Sequence, residues 1–229
     1  MRLAVIPARG GSKQIPRKNI KLFHGKPIIA YSIEAALNSG CFDKVIVSTD
    51  DQDIADTAKQ FGAEVPFMRP DKLSDDFATT LDVIKHACDF YIEQNIAIEQ
   101  VCCIYDTAPF IRSSDLQAGY ALIKQPDVDY AFSVTTYAFP IQRALTLSNA
   151  NTTNMLQPEH LNTRSQDLVE TYHDAGQFYW GQASTFIEQK PIFLSNSKAV
   201  PLDRIRVQDI DTPGDWEIAE SMYRYLQQI

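Results

Sequence analysis

The sequence contains no apolar stretch that approaches the roughly 18 residues needed to cross a membrane. Its first apolar stretch, residues 3–8, is short and runs into a basic loop with two glycines. It therefore lacks both the length and the flanks of a secretory leader. These absences predict a cytoplasmic protein with no membrane partner.

Cysteine is scarce, with four residues in the chain. None belongs to a C-x-x-C pair or has the spacing of metal ligands, which argues against a redox motif or a structural zinc site. Cys102 and Cys103 lie inside an apolar run, where a free cysteine behaves as a small hydrophobic residue. We predict that the cysteines belong to the core and face a reducing compartment.

Positive charge is in deficit, and the net charge of −8 argues against binding to nucleic acid or to anionic membranes. The basic residues are nevertheless concentrated, because seven of the 21 Lys and Arg residues precede the first acidic side chain, Glu34. These seven are Arg2, Arg9, Lys13, Arg17, Lys18, Lys21 and Lys26. An acidic protein with one basic segment is expected to bind one anionic ligand.

Segments typical of strands alternate with segments typical of helices. Strands are predicted at 2–8, 44–48, 64–68, 100–105 and 129–135, and helices at 27–38, 53–61, 79–94 and 114–124. This alternation predicts an open, doubly wound α/β fold with a mostly parallel, Rossmann-like sheet. A chain of 229 residues can bury its own core, so we expect residues 1–229 to form a single domain.

The alternation stops at about residue 137, where the sequence becomes rich in Asn, Thr, Gln and Pro. A long irregular segment in a compact domain is usually a lid, a binding loop or an interface arm. We assign residues 137–176 to such an insertion. Beyond it, short strands are predicted at 177–179, 193–194, 199–201 and 207–210, and a helix capped by Thr212 at 213–226.

The loop after the first predicted strand begins IPARGGSK. Gly10 and Gly11 allow backbone N–H groups to turn toward an anion, and nearby basic side chains can neutralise a polyphosphate. The loop is neither a Walker A sequence nor G-x-G-x-x-G. A solvated basic loop is the alternative. The density of charge directly after a buried strand favours phosphate binding, because ligands of such sheets bind beyond the strand ends.

Near the other end of the sequence, Asp209 and Asp211 are separated by one residue in a predicted strand, so both side chains should point the same way. Two carboxylates beside a polyphosphate repel each other unless a divalent cation joins them. Mg²⁺ typically takes one or two carboxylates together with phosphate oxygens. The alternative is that Asp211 only helps Thr212 to begin the following helix.

The basic loop, together with the Asp209 and Asp211 segment, resembles the acylneuraminate cytidylyltransferase (CMP-sialic acid synthetase) family. Gln14 departs from the glycine that the family commonly has there. The resemblance implies a nucleotide-diphospho-sugar transferase type of fold. It also implies CTP contacts from Ala8, Arg9, Gly10, Gly11, Ser12, Lys13, Lys18 and Asn19, with Arg69, Asp76 and Thr80 around the base and ribose.

The roles of three acidic residues stay open. Asp50 and Asp51 follow a predicted strand and precede a predicted helix, so a capping role and a functional role carry equal weight. Asp106 follows another strand, at a position where the sialic acid enzymes have a proline. It either joins the metal site or caps a turn.

The acceptor half resembles the pseudaminic acid branch of the same family, through His173 and Asp174 and through the segment at 162–166. The resemblance implies that acceptor contacts come from Tyr105, Arg164, Tyr172, His173 and Gln177. Arg164 suits a sugar carboxylate, because guanidinium and carboxylate form a two-bond fork. Phe178 and Trp180 could also supply aromatic walls, although aromatic residues at strand spacing are more often core.

These resemblances predict that the anomeric hydroxyl of a nine-carbon acidic sugar, pseudaminic acid, attacks the α-phosphorus of CTP and releases pyrophosphate. The catalytic residues would be Arg9, Lys13, Lys18 and Asp211, with Mg²⁺ held by Asp209 and Asp211. The basic loop and the carboxylate pair must then lie beside one triphosphate. The family also implies a homodimer. The alternatives are N-acetylneuraminic or legionaminic acid as acceptor and, from another class, a nucleotide-binding regulator without catalysis.

Overall fold

The computed structural model describes residues 1–12, 14–75, 77–193 and 195–228. Its main sheet has six strands, which are β1 (Arg2–Pro7), β4 (Lys44–Ser48), β5 (Gln100–Ile104), β6 (Tyr130–Thr136), β9 (Tyr172–Gln182) and β10 (Ser197–Pro201). They lie in the order β10-β6-β9-β5-β1-β4. Only β9 runs antiparallel to its neighbours, so the sheet is mostly parallel.

Helices cover both faces of this sheet, as its apolar strands require. They are α1 (Ile28–Ser39), α2 (Gln52–Gln60), α3 (Thr80–Ile92), α4 (Ser113–Ile123), α5 (Ala183–Ile187) and α6 (Pro213–Leu226). Ala4 and Ile6 of β1 pack with α1, α2 and α4, whereas Leu3 and Val5 pack with α3 and α5. The predicted doubly wound α/β fold is confirmed.

Several local predictions are corrected. The segment 64–68 makes only two isolated parallel bridges, Ile46 with Glu64 and Thr49 with Met68, instead of a strand. Residues 207–210 form no strand. The predicted strand at 193–194 is not found at Phe193, and Leu194 lies outside the described residues. Inside the insertion, β7 (Leu145–Leu147) and β8 (Thr153–Met155) form a hairpin. A second hairpin, β2 (Leu22–Phe23) with β3 (Lys26–Pro27), leads into α1.

The helix α6 packs against the loop that follows β1. A third core cluster contains Ile15 and Phe23 from that loop region, Ile210, and Trp216 of α6. The predicted cap of α6 is present, since Thr212 Oγ1 accepts the Asp215 N–H at 3.2 Å. This packing brings two distant parts of the sequence to one place. Within the described residues, no helix combines the length and the apolar character of a membrane span.

Candidate active site

A cavity of about 530 Å³ lies beyond the carboxyl ends of β1 and β5. Its wall comes from the loop after β1, the connection between residue 68 and α3, the first turn of α3, the end of β5 and the segment before α6. The lining residues are Pro7, Arg9, Ser12, Gln14, Lys18, Asn19, Arg69, Leu73, Asp75, Ala78, Thr79, Thr80, Val83, Tyr105, Asp106 and Asp211.

Lys18 connects the two ends of the sequence. Arg17 has a left-handed φ of 53°, after which Lys18–Ile20 form a 3-10 turn that directs the lysine toward the carboxylate segment. Its Nζ donates to the carbonyl oxygen of Ile210 and lies 3.4 Å from Oδ1 of Asp211. The basic loop and Asp211 therefore border one cavity, as the sequence analysis requires, whereas Asp209 is not among the residues that line it.

Some of the other predicted nucleotide ligands of the loop line the cavity, and others do not. Arg9, Ser12 and Asn19 line the cavity, and Arg9 Nη1 donates to the backbone oxygen of Asp75 at 3.1 Å. Ala8 is buried behind the wall, and Gly11 is exposed. The Gly10 N–H is directed at the Asp50 carboxylate. Two predicted ligands, Lys13 and Asp76, lie outside the described residues.

Arg69 is the most buried cation of the cavity, with 3% of its side chain exposed. Burial lowers the pKa of its guanidinium, and the negative charges of Asp50 and Asp106 partly offset that effect. Nε donates to Ser74 Oγ at 3.2 Å, whereas Nη2 has no hydrogen-bond partner within the described residues. Thr80, in the first turn of α3, lines the same cavity, so both predicted base and ribose ligands that the structure describes face it.

Asp209 and Asp211 flank Ile210, which is fully buried in the cluster with α6. Desolvation and then the negative charge of Asp211 raise the pKa of Asp209, so the two carboxylates are close enough to repel each other. Asp211 faces the cavity. This pair fits a Mg²⁺ ion that takes its remaining ligands from phosphate and water. No cluster of three or more His, Cys, Asp or Glu side chains suited to a metal occurs among the described residues.

Asp106 lies on the same wall, and Asn19 Nδ2 donates to its carboxylate. Burial raises the pKa of Asp106 to about 6, although the positive charges of Lys18 and Arg69 act in the opposite direction. The carboxylate also accepts from backbone N–H groups at Asp106 and Thr107. It therefore caps a turn and faces the cavity, and both hypotheses for it stay open.

The predicted acceptor residues are only partly assembled. Tyr105 lines the cavity, and Gln177 is buried behind it, with Nε2 donating to the backbone oxygen of Arg206 at 2.6 Å and Oε1 unpartnered within the described residues. His173, Tyr172 and Arg164 lie outside the cavity lining. Their hydrogen-bond partners are local, respectively the backbone oxygen of Asp174 and the carboxylates of Glu170 and Asp167.

Sequence reasoning also missed part of the wall. Phe178 and Trp180 belong to the core and do not form an aromatic wall of the cavity, as is usual for aromatic residues at strand spacing. Leu73, Ala78 and Val83 line the cavity but were not selected. They are ordinary apolar residues, and the one available signal was their place around the beginning of a predicted helix next to a strand end.

Comparison with known proteins gives the family. The cytidylyltransferase family model matches residues 3–224. A pseudaminic acid cytidylyltransferase of Campylobacter jejuni is 45% identical over 97% of this chain and 96% of its own length. A CMP-N,N'-diacetyllegionaminic acid synthase of Legionella pneumophila is 34% identical over 99% of this chain and 97% of its own length.

Among solved structures, a CMP:2-keto-3-deoxy-manno-octonic acid synthetase complexed with CTP has the same fold. It is 18% identical, has a TM-score of 0.71, and the match covers 100% of this chain and 99% of that one. The resemblance inferred from the basic loop and the carboxylate segment is confirmed, because the family match spans both. The chain belongs to the cytidylyltransferase family.

Proposed function

We propose that this chain transfers CMP from CTP to the anomeric hydroxyl of pseudaminic acid, releasing pyrophosphate and forming CMP-pseudaminic acid. The observation that carries the choice of acceptor is the 45% identity, over 97% of the chain, to the Campylobacter jejuni pseudaminic acid cytidylyltransferase. The identity falls to 34% for the legionaminic acid synthase. We assign the reaction to the cytoplasm.

The cavity can hold a nucleotide, because one side of it suits the triphosphate and the other side suits the base and ribose. Arg9, Ser12 and Lys18 lie on the side of the basic loop and suit the triphosphate. Arg69 and Thr80 lie on the side of α3 and offer a cation and a hydroxyl to the base and ribose. We assign Lys13 and Asp76 to the same two groups from the family resemblance alone.

The reaction needs positioning and charge neutralisation, not a covalent enzyme intermediate. The sugar hydroxyl attacks the α-phosphorus and gives its proton to water or to a nearby carboxylate, the bond to the bridging oxygen breaks, and that oxygen leaves with the pyrophosphate. Arg9, Lys13 and Lys18 stabilise the negative charge that accumulates on the leaving group. Lys18 suits this role because it is only 17% exposed, and a cation in a partly dry site acts more strongly than one in water.

Mg²⁺ is the cofactor that we propose for the Asp209 and Asp211 pair. When bound, it would withdraw charge from the phosphate oxygens and hold the α-phosphate in line for attack. The support is the mutual repulsion of two carboxylates beside a cavity that also contains cations for phosphate. Asp211 is the member of the pair that faces the cavity, so we rank it first.

We propose that residues 1–229 form one catalytic domain, in which the insertion at 137–176 binds the acceptor and also joins two copies of the chain. Large apolar side chains are exposed along it, including Phe139, Leu147, Leu161 and Val169 at 69 to 82% of their surface. Such a concentration of exposed apolar side chains is typical of an interface. The neighbouring copy would then help to order Arg164.

A panel of nonulosonic acids, assayed by pyrophosphate release with CTP and Mg²⁺, tests the proposal. Pseudaminic acid should give the highest kcat/KM. Efficient use of N-acetylneuraminic or legionaminic acid would contradict the assignment of pseudaminic acid as the acceptor. If CTP binds and no acceptor turns over, the chain is a nucleotide-binding regulator instead.

A further inference from the structure

Two adjacent carboxylates after β4 have different partners. Asp51 is the N-cap of α2, and its Oδ1 accepts the N–H groups of Asp53 at 2.9 Å and Ile54 at 3.0 Å. Asp50 makes no contribution to that cap. Its Oδ1 accepts the Gly10 N–H at 2.9 Å and lies 3.6 Å from Nη2 of Arg69. One oxygen atom therefore contacts two separate pieces of the cavity wall.

The order of the strands explains why these residues meet. β4 lies between β1 and the segment at 64–68, with Pro7 in register with Ser48 and a bridge between Thr49 and Met68. The Arg69 N–H then donates to the Thr49 oxygen at 2.7 Å. Asp50 follows directly, so it emerges between the two neighbouring strand ends and can reach both.

Few other described groups stabilise the positive charge of Arg69. Its side chain is almost fully buried, and its one described side-chain hydrogen bond goes to Ser74, through Nε. Asp50 is the nearer of the two carboxylates that favour its charged form, because it also lies within ion-pair distance. Without Asp50, a buried cation would lose its closest counter-charge, which is costly for a group out of contact with water.

On the loop side, Asp50 fixes the backbone at Gly10. A side chain at that position would meet the next carboxylate, since a Cβ would lie 2.9 Å from Oδ2 of Asp51. The close approach of the loop to the beginning of α2 therefore needs glycine there. The hydrogen bond from Gly10 holds the backbone between Arg9 and Ser12, both of which line the cavity.

We propose that Asp50 is a positioning residue for nucleotide binding: it holds the turn at Gly10 and the Arg69 guanidinium in the arrangement that receives CTP. Asp50 itself is not among the described residues that line the cavity, so it acts through its two partners. This inference rests on the proposed function, in which CTP occupies the cavity.

Calorimetric titration with CTP and Mg²⁺, without acceptor, tests the inference on the full chain. Asp50→Ala should weaken CTP binding about tenfold to a hundredfold, because a charge-assisted contact at the wall is lost. Asp50→Asn keeps an oxygen for the Gly10 N–H but removes the charge beside Arg69, so its affinity should be intermediate. In steady-state assays the KM for CTP should rise more than kcat falls.

Asp51→Ala is the matched control. It removes the cap of α2 and should lower Tm by a few degrees, while CTP affinity stays within about twofold of wild type. Arg17, which pairs with Asp51, keeps a second partner in Asp53 at 2.9 Å. If the Asp50 variants bind CTP as wild type does, or if all variants lose affinity only in proportion to Tm, the positioning role is wrong.

Two further outcomes separate this inference from the proposed function. Tighter CTP binding by Asp50→Ala would mean that the carboxylate competes with the nucleotide, which also overturns the inference. Wild-type protein that binds CTP but turns over no acceptor contradicts the proposed function and leaves the affinity comparison valid. Absence of CTP binding by wild type overturns both.

Discussion

The cavity wall and the insertion hold their polar residues in different ways. On the wall, side chains that are far apart in sequence contact one another, as Lys18 and Asp211 do at 3.4 Å. In the insertion, polar side chains mostly bond to near neighbours, and Arg164 is 71% exposed while paired with Asp167 three residues away. The sheet fixes the first set within one chain. The second set is held mainly by contacts within the insertion, such as that of Gln142 with Val169, and joins the sheet from Tyr172 onward. This is the arrangement expected of a surface completed by a ligand or a second copy.

The sharpest test of the wall is Asp211→Ala. If Asp211 holds the proposed metal against the triphosphate, pyrophosphate release should fall by about a thousandfold. Added Mg²⁺ should not restore it. Asp203→Ala removes another exposed carboxylate of the same segment and should keep full activity. Retained turnover in Asp211→Ala at saturating Mg²⁺ would remove the metal role from this pair.

A substitution in the insertion should change a different kinetic constant, the KM for the acceptor. Arg164→Ala should raise the KM for pseudaminic acid about tenfold, through loss of the fork to its carboxylate, and leave the KM for CTP unchanged. Arg224→Ala, an exposed arginine outside the insertion, serves as the control. An equal rise in both KM values would show that the two regions are not separate and would break the comparison.

The smallest expected effect concerns the pH dependence of stability. The folded pKa of Asp106 is about 6, above its ordinary value of 3.8. Between these values the folded chain holds a proton that the unfolded chain has released, so the free energy of unfolding falls as pH rises through this window. In metal-free buffer, Asp106→Asn should therefore gain about 3 °C in Tm relative to wild type between pH 4.5 and pH 7.5.

The matched control for that experiment is Asp71→Asn, which removes an exposed carboxylate and should follow the wild-type curve. A constant difference in Tm between Asp106→Asn and wild type at all pH values would argue that Asp106 is ionised throughout. The Asp106 carboxylate would then be more accessible to water than its packing indicates.

Local pattern was enough to predict most of the fold. The apolar run of β1 sends Leu3 and Val5 to one face and Ala4 and Ile6 to the other, as a strand buried on both faces should. The pattern failed at 207–210, because Ile210 is buried by α6 and not by strand neighbours. Burial alone does not reveal which partner provides it.

The candidate site was predictable to a lesser degree. The basic loop and the carboxylate pair stood out because their charge is unusual for their positions. Asp50 and Asp51 could not be distinguished, since either can cap a helix and only the neighbouring strand ends decide which one does. The antiparallel direction of β9 was also hidden, because it depends on the path of the long insertion before it.

The contact between Lys18 and Ile210 joins residues 192 positions apart. Contacts between residues so far apart raise the contact order of the fold, which slows folding. Molecules in which this contact has not formed would present the basic loop without its opposite wall and would bind nucleotide weakly. CTP in the cell would therefore favour only fully folded molecules and shift the folding equilibrium in their direction.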